Sequence, residues 1–490
     1  MLSTPDATAG PAACSHRAGP AESLSSCPLI DAIMGWLDQF NLSQNCDFTK
    51  NRVPDVAVMP PRPNNPMMRD EAIGLGKRMA GMDIRSSGFT ERTQLETAVN
   101  SLLNGVEPLP HESVASALSH HRTLASPLLA PRNVPSFARS AMDGFALSAI
   151  CITGASESSP AILSVVGESL AGHPPNFTVQ PGGAARIMTG AALPAGTDAV
   201  VPIEACRQLG STVEIHEAVV PGRHVCAVGE DFKQGQIVLN AGRRLLPQDL
   251  AVLSALGLRD VSVIRQPRVL ILVTGDEILP AFSEPAADRI CDANSPMLQA
   301  LIQRDGGQVA AVAIVPDNPS DLSEALAANH SADLILISGG SSVGQEDHAP
   351  VVLSKMGTLD VHGLALRPAS PAGFGRLNNG TRVMLLPGNP VSCFCAYELL
   401  AGRLVRRLAG RLDSLPHTVK HYPLAQDVKS VQGRTDFMRV RIVNGMVETI
   451  PGGASMLSTV AMADGFVLIS HDSAGCSSGD RVAVYLFENA

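Results

Sequence analysis

The 490-residue chain predicts a multidomain α/β-plus-β protein built around one α/β domain with a mainly parallel sheet. Two observations carry this. Between 267 and 410, short apolar runs alternate with helical patterns, and the runs are apolar throughout, as in strands covered on both faces. On either side, the sequence breaks into short strand-like runs punctuated by Gly and Pro, which number 43 and 36. The length allows three or four domains of roughly 100–200 residues.

Residues 1–28 are small, polar and rich in Pro, Ser and Ala, a composition that predicts disorder. LIDAIMGWLDQF (29–40) sets Ile30, Ile33, Met34 and Leu37 at helical spacing beside the only Trp. Four prolines make MPPRPNNP (59–66) a loop. Up to about 108 the chain reads as a small helical appendage without legible chemistry. SVASALSHHRTLA (113–125) predicts a helix, and 150–235, with AILSVV and VEIHEAVV, a compact β-rich domain. QDLAVLSALGL (248–258) predicts a helix ended at Gly257. Strand-like runs follow at 268–273, 309–315, 334–338 and 383–387, with helices at 295–306, 321–329 and 391–410 between and after them. From about 415, FMRVRIV, GFVLIS and RVAVYLF predict a small all-β end domain.

Composition excludes some functions. A net charge of −9 and pI near 5.8 argue against a general nucleic-acid backbone binder, and 3% aromatics against base-stacking platforms. The ten cysteines include no C-x-x-C pair, so structural zinc and iron–sulfur centres are not indicated. Cys393 and Cys395, two apart, fit a buried helix start better than a metal site. With no basic n-region before an apolar stretch, and no apolar run approaching ~18 residues, a soluble, reduced, cytoplasmic protein without membrane partners is expected.

In open α/β sheets, ligands bind beyond the carboxyl ends of the strands. Three loops follow such ends: Thr274-Gly275-Asp276-Glu277, then Gly339-Gly340-Ser341-Ser342-Val343-Gly344 with Glu346 and Asp347 beyond, and Gly388-Asn389-Pro390 entering a helix. Glycines bring backbone N–H groups close to a ligand, and helix N-termini favour oxyanions. Carboxylates beside such an anion require a hard cation such as Mg²⁺ between them. Taken singly, each has an ordinary reading: a turn after a strand, an acidic cap, a Gly-Asn-Pro turn. Together at three ends of one sheet, they predict a phosphorylated or nucleotide ligand with a metal. No Walker or G-x-G-x-x-G pattern is present. Elsewhere, Asp143 lies in a Met-Asp-Gly turn, and Thr189-Gly190, Asp198 and Glu204 lie in a long Gly/Pro-rich stretch. Arg434 and Arg439 lie on or beside a late strand, suited either to an anion or to edge-strand solubility.

From about 111 onward, the residues resemble the molybdopterin molybdenumtransferases, the molybdate-inserting enzymes of molybdenum cofactor synthesis related to the E domain of gephyrin. The motifs occur in order: SAMDGFA, GESLAG (167–172), RIMTGA (186–191), GTDAVVPIE (196–204), GEDFKQG (229–235), VTGDE (273–277), DANSPML (292–298), SGGSSVG with Asp347, and LPGNPVS (386–392). The resemblance implies a division into an extension (1–110), a discontinuous helical, linking first domain (111–149 and 236–266), an inserted β-rich domain (150–235), an α/β molybdopterin-binding domain (267–410) and a small β-barrel-like end domain (411–490). It also implies a homodimer in which the sheet domain of one subunit faces the first domains of the other. The reaction it implies takes adenylylated molybdopterin and molybdate as substrates and releases AMP with Mg²⁺ assisting. Asp143, Thr189, Glu277, Asp317, Asp347 and Arg367 are then the expected catalytic residues. Asp276, Glu277, Asp347 and Asp231 are the expected metal residues. Ligand binding falls to Thr274, Gly275, Ser338, Gly339, Gly340, Ser342, Gly344, Pro387, Gly388, Asn389, Pro390 and Arg434. A molybdopterin adenylyltransferase and recipient apo-molybdoenzymes are the implied protein partners.

The chain departs from the family in places. Arg367-Pro368-Ala369-Ser370-Pro371 stands where Lys-Pro-Gly-Lys-Pro is usual, Gln345 where an acid is usual, Ser341 where an apolar residue is usual, and Ala293 where Ser is usual. Two alternatives stay open: a molybdopterin adenylyltransferase, which SAMDGFA and RIMTGA count against, and a non-catalytic molybdopterin-binding scaffold with a degraded cationic site.

Overall fold

The structure, a computed structural model, describes residues 57–58, 92–286, 288–328, 331–340 and 348–487. The expected disorder of 1–28, the helix at 29–40 and the loop at 59–66 lie outside the described residues. The protein has a multidomain fold with mixed sheets. Its largest sheet has seven strands in the order Ala57–Val58, Gln308–Val315, Arg268–Thr274, Leu334–Ser338, Arg382–Leu386, Gly373–Leu377 and Gly357–His362. The first five run parallel, and the last two are added through antiparallel pairings.

The apolar runs form strands because both their faces are covered. Val269, Ile271 and Val273 pack with Leu298 and Ile302 of the Asn294–Asp305 helix and with the helical run that starts at Pro390. Leu270 and Leu272 point the other way, toward Leu322 and Leu326 of the Pro319–Ala327 helix and Val352 and Leu353 of the Ala349–Met356 helix. Each buried aliphatic side chain contributes roughly 1.5–3 kcal/mol. The two antiparallel strands lack this signature. Gly357, Gly373 and Gly375 sit where a Cβ would meet the neighbouring strand's backbone at 1.8, 2.6 and 2.0 Å, so close approach replaces the apolar pattern.

Two helical expectations change. Residues 113–125 are not a helix: His111–Ala115 is a strand paired antiparallel with Asp260–Ile264, followed by a short 3₁₀ turn at Ser116–Leu118. Pairing and the half-buried alternation of that strand override a helical pattern made mostly of weak formers such as Ser and His. The single helix expected at 391–410 is α over Pro390–Ala396, a wider π turn over Tyr397–Ala401, and α again over Gly402–Leu408.

A second six-stranded sheet runs Ala199–Pro202, Gly144–Leu147, Gly183–Ile187, Ala161–Ser169, Thr212–Ile215, Cys206–Leu209. In the C-terminal region, Thr435–Val443, Gly465–Ile469, Arg481–Leu486 and Thr418–Pro423 pair in that order. Leu366–Arg367 joins that sheet from the α/β region, running parallel with Thr435 and Asp436.

A buried ion cluster holds this junction. Glu398, fully buried, accepts from Arg304 Nη1 at 2.6 Å, Arg304 Nη2 at 3.1 Å and His417 Nε2 at 3.0 Å. Burial opposes its ionisation, but His417 and Arg304 outweigh burial and hold the carboxyl below its ordinary range. Its stabilisation is therefore present above the unfolded carboxylate pKa and is lost as pH falls through the lower folded value. Glu398→Ala removes the acceptor that Arg304 and His417 share, leaving Arg304 with Asp305 alone, and should lower the unfolding free energy by about 3 kcal/mol at neutral pH in urea titrations. The deficit should shrink in acid, where the wild type loses the same contribution.

Candidate active site

The ends of the parallel strands are level. Val273 pairs with Ser338, Ser338 with Leu386, and Thr274 with Val315, so the loops that follow leave from one rim. A cleft of 750 Å³ opens there. The first loop contributes Thr274, Gly275 and Glu277, the second Ser338, Gly339 and Gly340, and the third Pro387, Gly388, Asn389 and Pro390. Asp317 arrives on a fourth loop, after the Gln308–Val315 strand. The run 309–315 followed by Pro316-Asp317-Asn318 carried that signal, with the same strand-then-turn pattern as the other three. Ser342, Gly344 and Asp347, with Ser341, Gln345 and Glu346, lie outside the described residues.

Local chemistry fixes these loops. Gly339 has φ +104°, and a Cβ there would lie 2.5 Å from the Thr274 carbonyl oxygen, so only glycine lets the two loops touch. Asp276 does not line the cleft. Its Oδ1 accepts the Asp317 N–H at 3.0 Å and ties the first loop to the fourth. Asn294 Nδ2 donates to Ser338 Oγ and to the Gly388 carbonyl, both at 2.8 Å, joining a helix start to two strand ends. Asp292 Oδ1 accepts the N–H groups of Asn294 and Ser295 at 2.9 and 3.0 Å and so caps that helix. Both residues line the cleft and neither was among the expected site residues. The Asp-x-Asn-Ser pattern before an apolar helical stretch was the available signal. The helix start at Pro390 is less open than the sequence suggests, because Val391 N–H is taken by the Ala454 carbonyl at 2.9 Å.

Other expected residues lie elsewhere. Asp143 and Thr189 meet in the second six-stranded sheet's region, where the Thr189 N–H and hydroxyl donate to Asp143 Oδ1 at 2.6 and 2.7 Å. These two bonds, with Arg186 nearby, hold the exposed carboxyl below its ordinary range against a small opposing effect of burial. Asp231 is exposed, its N–H bonded to the Val134 carbonyl. Neither Asp143, Thr189 nor Asp231 lines the cleft.

Arg367 lines a second cleft, of 550 Å³, with Lys429, Arg439, Asp427 and the 449–454 turn. Arg367 Nη2 pairs with Asp436, which is fully buried and also accepts from Ser430 Oγ. Arg434 Nε lies 3.7 Å from the same carboxylate. Arg439 is 7% exposed, and its Nη2 donates to the Gly452 carbonyl at 2.8 Å while Nε is unbonded. Burial pushes this guanidinium below its ordinary value. Ser370, at the departure from the usual lysine, donates its hydroxyl to Leu364 at 3.1 Å within its own loop. The clefts share a wall: Pro371 and Ser455 line the first, Arg367, Pro368 and Ala454 the second.

Among the described residues, no three His, Cys, Asp or Glu side chains converge as a ready-made metal cage. Glu277 and Asp317 on the first cleft's wall nonetheless suit Mg²⁺, which binds through one or two carboxylates plus substrate phosphate rather than an all-protein cage.

Gly339→Ala should cost about 1–3 kcal/mol in thermal or urea unfolding. Gly388→Ala, whose Cβ would find nothing closer than 3.5 Å, should unfold like the wild type. Thr189→Val should move the Asp143 titration, followed by carboxyl ¹³C NMR, upward toward the ordinary carboxylate range, because one of its two donors is gone.

Comparison with known proteins places these features. Family models match along the chain: "MoeA N-terminal region (domain I and II)" over 93–257, "Probable molybdopterin binding domain" over 270–407 and "MoeA C-terminal region (domain IV)" over 421–487. A molybdopterin molybdenumtransferase of Haemophilus influenzae is 32% identical over 377 residues, covering 75% of this chain and 92% of that one. Molybdopterin molybdenumtransferase 2 of Mycobacterium tuberculosis is 33% identical over 377 residues, covering 74% and 91%. The crystal structure of the molybdopterin biosynthesis MoeA protein of Pyrococcus horikoshii aligns with a TM-score of 0.72 at 31% identity, covering 82% of this chain and all of that one. On this similarity and the order of its domains, the chain belongs to the molybdopterin molybdenumtransferase family.

Proposed function

We propose that this protein is a transferase of molybdenum cofactor biosynthesis that inserts molybdate into adenylylated molybdopterin and releases AMP. The observation that carries the reading is the pair of clefts on either side of one wall. The first offers a glycine-lined rim beside Glu277 and Asp317, suited to the phosphates of a pterin nucleotide. The second presents Arg367, Lys429 and the nearly buried Arg439, suited to a tetrahedral oxyanion. A ligand whose phosphate lies in the first cleft can turn its dithiolene toward the second, where molybdate waits.

Each residue has a task in this reading. Gly339 and Gly340 let the phosphate chain approach the backbone, and Asp276 holds the Asp317 loop in place. Asp347 completes the proposed acidic set, and Asp231, away from its own chain's cleft, is not part of it. Glu277 and Asp317 would hold Mg²⁺, which when bound supplies positive charge against the phosphoanhydride. Arg439 fixes molybdate, and Arg367 keeps a cation at the loop where Ser370 supplies none.

Asp143 and Thr189 form a ready carboxylate on an exposed surface away from their own chain's cleft. This supports a homodimer in which they serve the partner's site. A molybdopterin adenylyltransferase would hand over the substrate, and an apo-molybdoenzyme would take the product. The seven described cysteines are free thiols, which supports a reducing cytoplasmic setting, and no described helix is long and apolar enough to cross a membrane.

The test supplies adenylyl-molybdopterin, Mg²⁺ and molybdate, then follows AMP release and activation of an apo-molybdoenzyme. Molybdate-dependent AMP release is expected. Glu277→Gln should slow it, and Arg439→Ala should raise the molybdate concentration for half-maximal rate by about tenfold to a hundredfold. AMP release indifferent to molybdate would sink the reading, and tight binding without turnover would favour a pterin-holding scaffold.

A further inference from the structure

The start of the Asn294–Asp305 helix leaves the Ser295 hydroxyl and two acceptors unbonded, and the residues that carry the acceptors line the first cleft. Asp292, 5% exposed, uses Oδ1 on two helix N–H groups, and its Oδ2 has no partner. Asn294, 6% exposed, uses Nδ2 on Ser338 and Gly388, and its Oδ1 has no partner. The amide cannot be turned over, because the Gly388 carbonyl only accepts and must face the nitrogen. Buried acceptors left unpaired cost about 1–3 kcal/mol each, more when charged, and a cleft wall that keeps two of them within three residues is built for something that donates to both.

We infer that Asp292 and Asn294 read the heterocycle of the ligand, accepting from an edge that carries an amino group beside a ring N–H. That edge is the 2-aminopyrimidin-4-one shared by pterins and guanine. Adenine sets a bare ring nitrogen next to its amino group and would turn a lone pair toward the buried carboxylate. A phosphate there would meet a negative charge without a counterion. The polarity of the wall therefore orients the ligand, with its ring against the helix start and its phosphate toward Gly339 and Gly340. The assignment rests on the pterin reading above and adds the residues that recognise the ring.

Asp292→Asn tests it on the full chain, because one oxygen remains to cap the helix while the free acceptor becomes a donor. Neopterin phosphate should bind about tenfold to a hundredfold more weakly to the variant, AMP equally to both, and GMP should follow neopterin phosphate. Equal weakening of AMP and neopterin phosphate, or no change in either, overturns the assignment. A wild type that binds neither overturns the pterin reading and this assignment with it. A second measurement needs no variant. The ring N–H of bound neopterin phosphate, followed by absorbance, should titrate at higher pH than in free solution, because the carboxylate favours the protonated ring. An unchanged or lower titration point sinks the proposal even if Asp292→Asn fails to fold.

Discussion

The cleft depends on the register of one parallel ladder. Val273, Ser338 and Leu386 lie level because each neighbouring strand buries alternate residues in two separate cores. Slipping one strand by a residue would exchange its two faces and strand Leu270 and Leu272 against the wrong helices. The cores thus set where the strands end, and the strand ends set where the loops can act. Asn294 and Asp276 add the remaining precision by bonding neighbouring loops to each other rather than to solvent.

The second cleft is built on a different principle. Leu366–Arg367 leaves the α/β region to pair with the C-terminal sheet, and buried Asp436 neutralises Arg367 where it arrives. The Glu398 cluster also links these two parts, through Arg304 and His417. Arg367 is therefore held by Asp436, a carboxylate that does not line the cleft, and Arg439 by the Gly452 carbonyl on its wall, with Asp427 the one acid there. Arg439, bonded through Nη2 to a carbonyl, retains most of its capacity for an anion.

Much of this was legible in the residues, and the exceptions have physical causes. Apolar runs such as RVLILV and LILIS announce strands because covering both faces removes every polar position. Gly357–His362 and Gly373–Leu377 went unseen because glycines required by close strands erase that signature. Residues 113–115 looked helical because their strand partner lies some 145 positions on, at 260–262, a separation local patterns do not register. The rim loops were readable as strand-to-glycine transitions. The roles of Asp292 and Asn294 were not, because a cap is satisfied by the same residue types whether or not a second oxygen is left over. The placement of Arg367 in a cleft of its own follows from a pairing with Thr435 and Asp436, again far along the chain.

The wall common to the two clefts has a thermodynamic consequence. Pro371 and Ser455 face one side, Arg367, Pro368 and Ala454 the other, and short segments carry both sets. Any adjustment of that wall by one ligand changes the free energy of binding the other. Such coupling is reciprocal: whatever factor a ligand of the first cleft applies to the affinity of the second cleft for its own ligand, the second ligand applies to the affinity for the first. Order of arrival then leaves the total binding free energy unchanged and alters only which ligand meets a wall already adjusted.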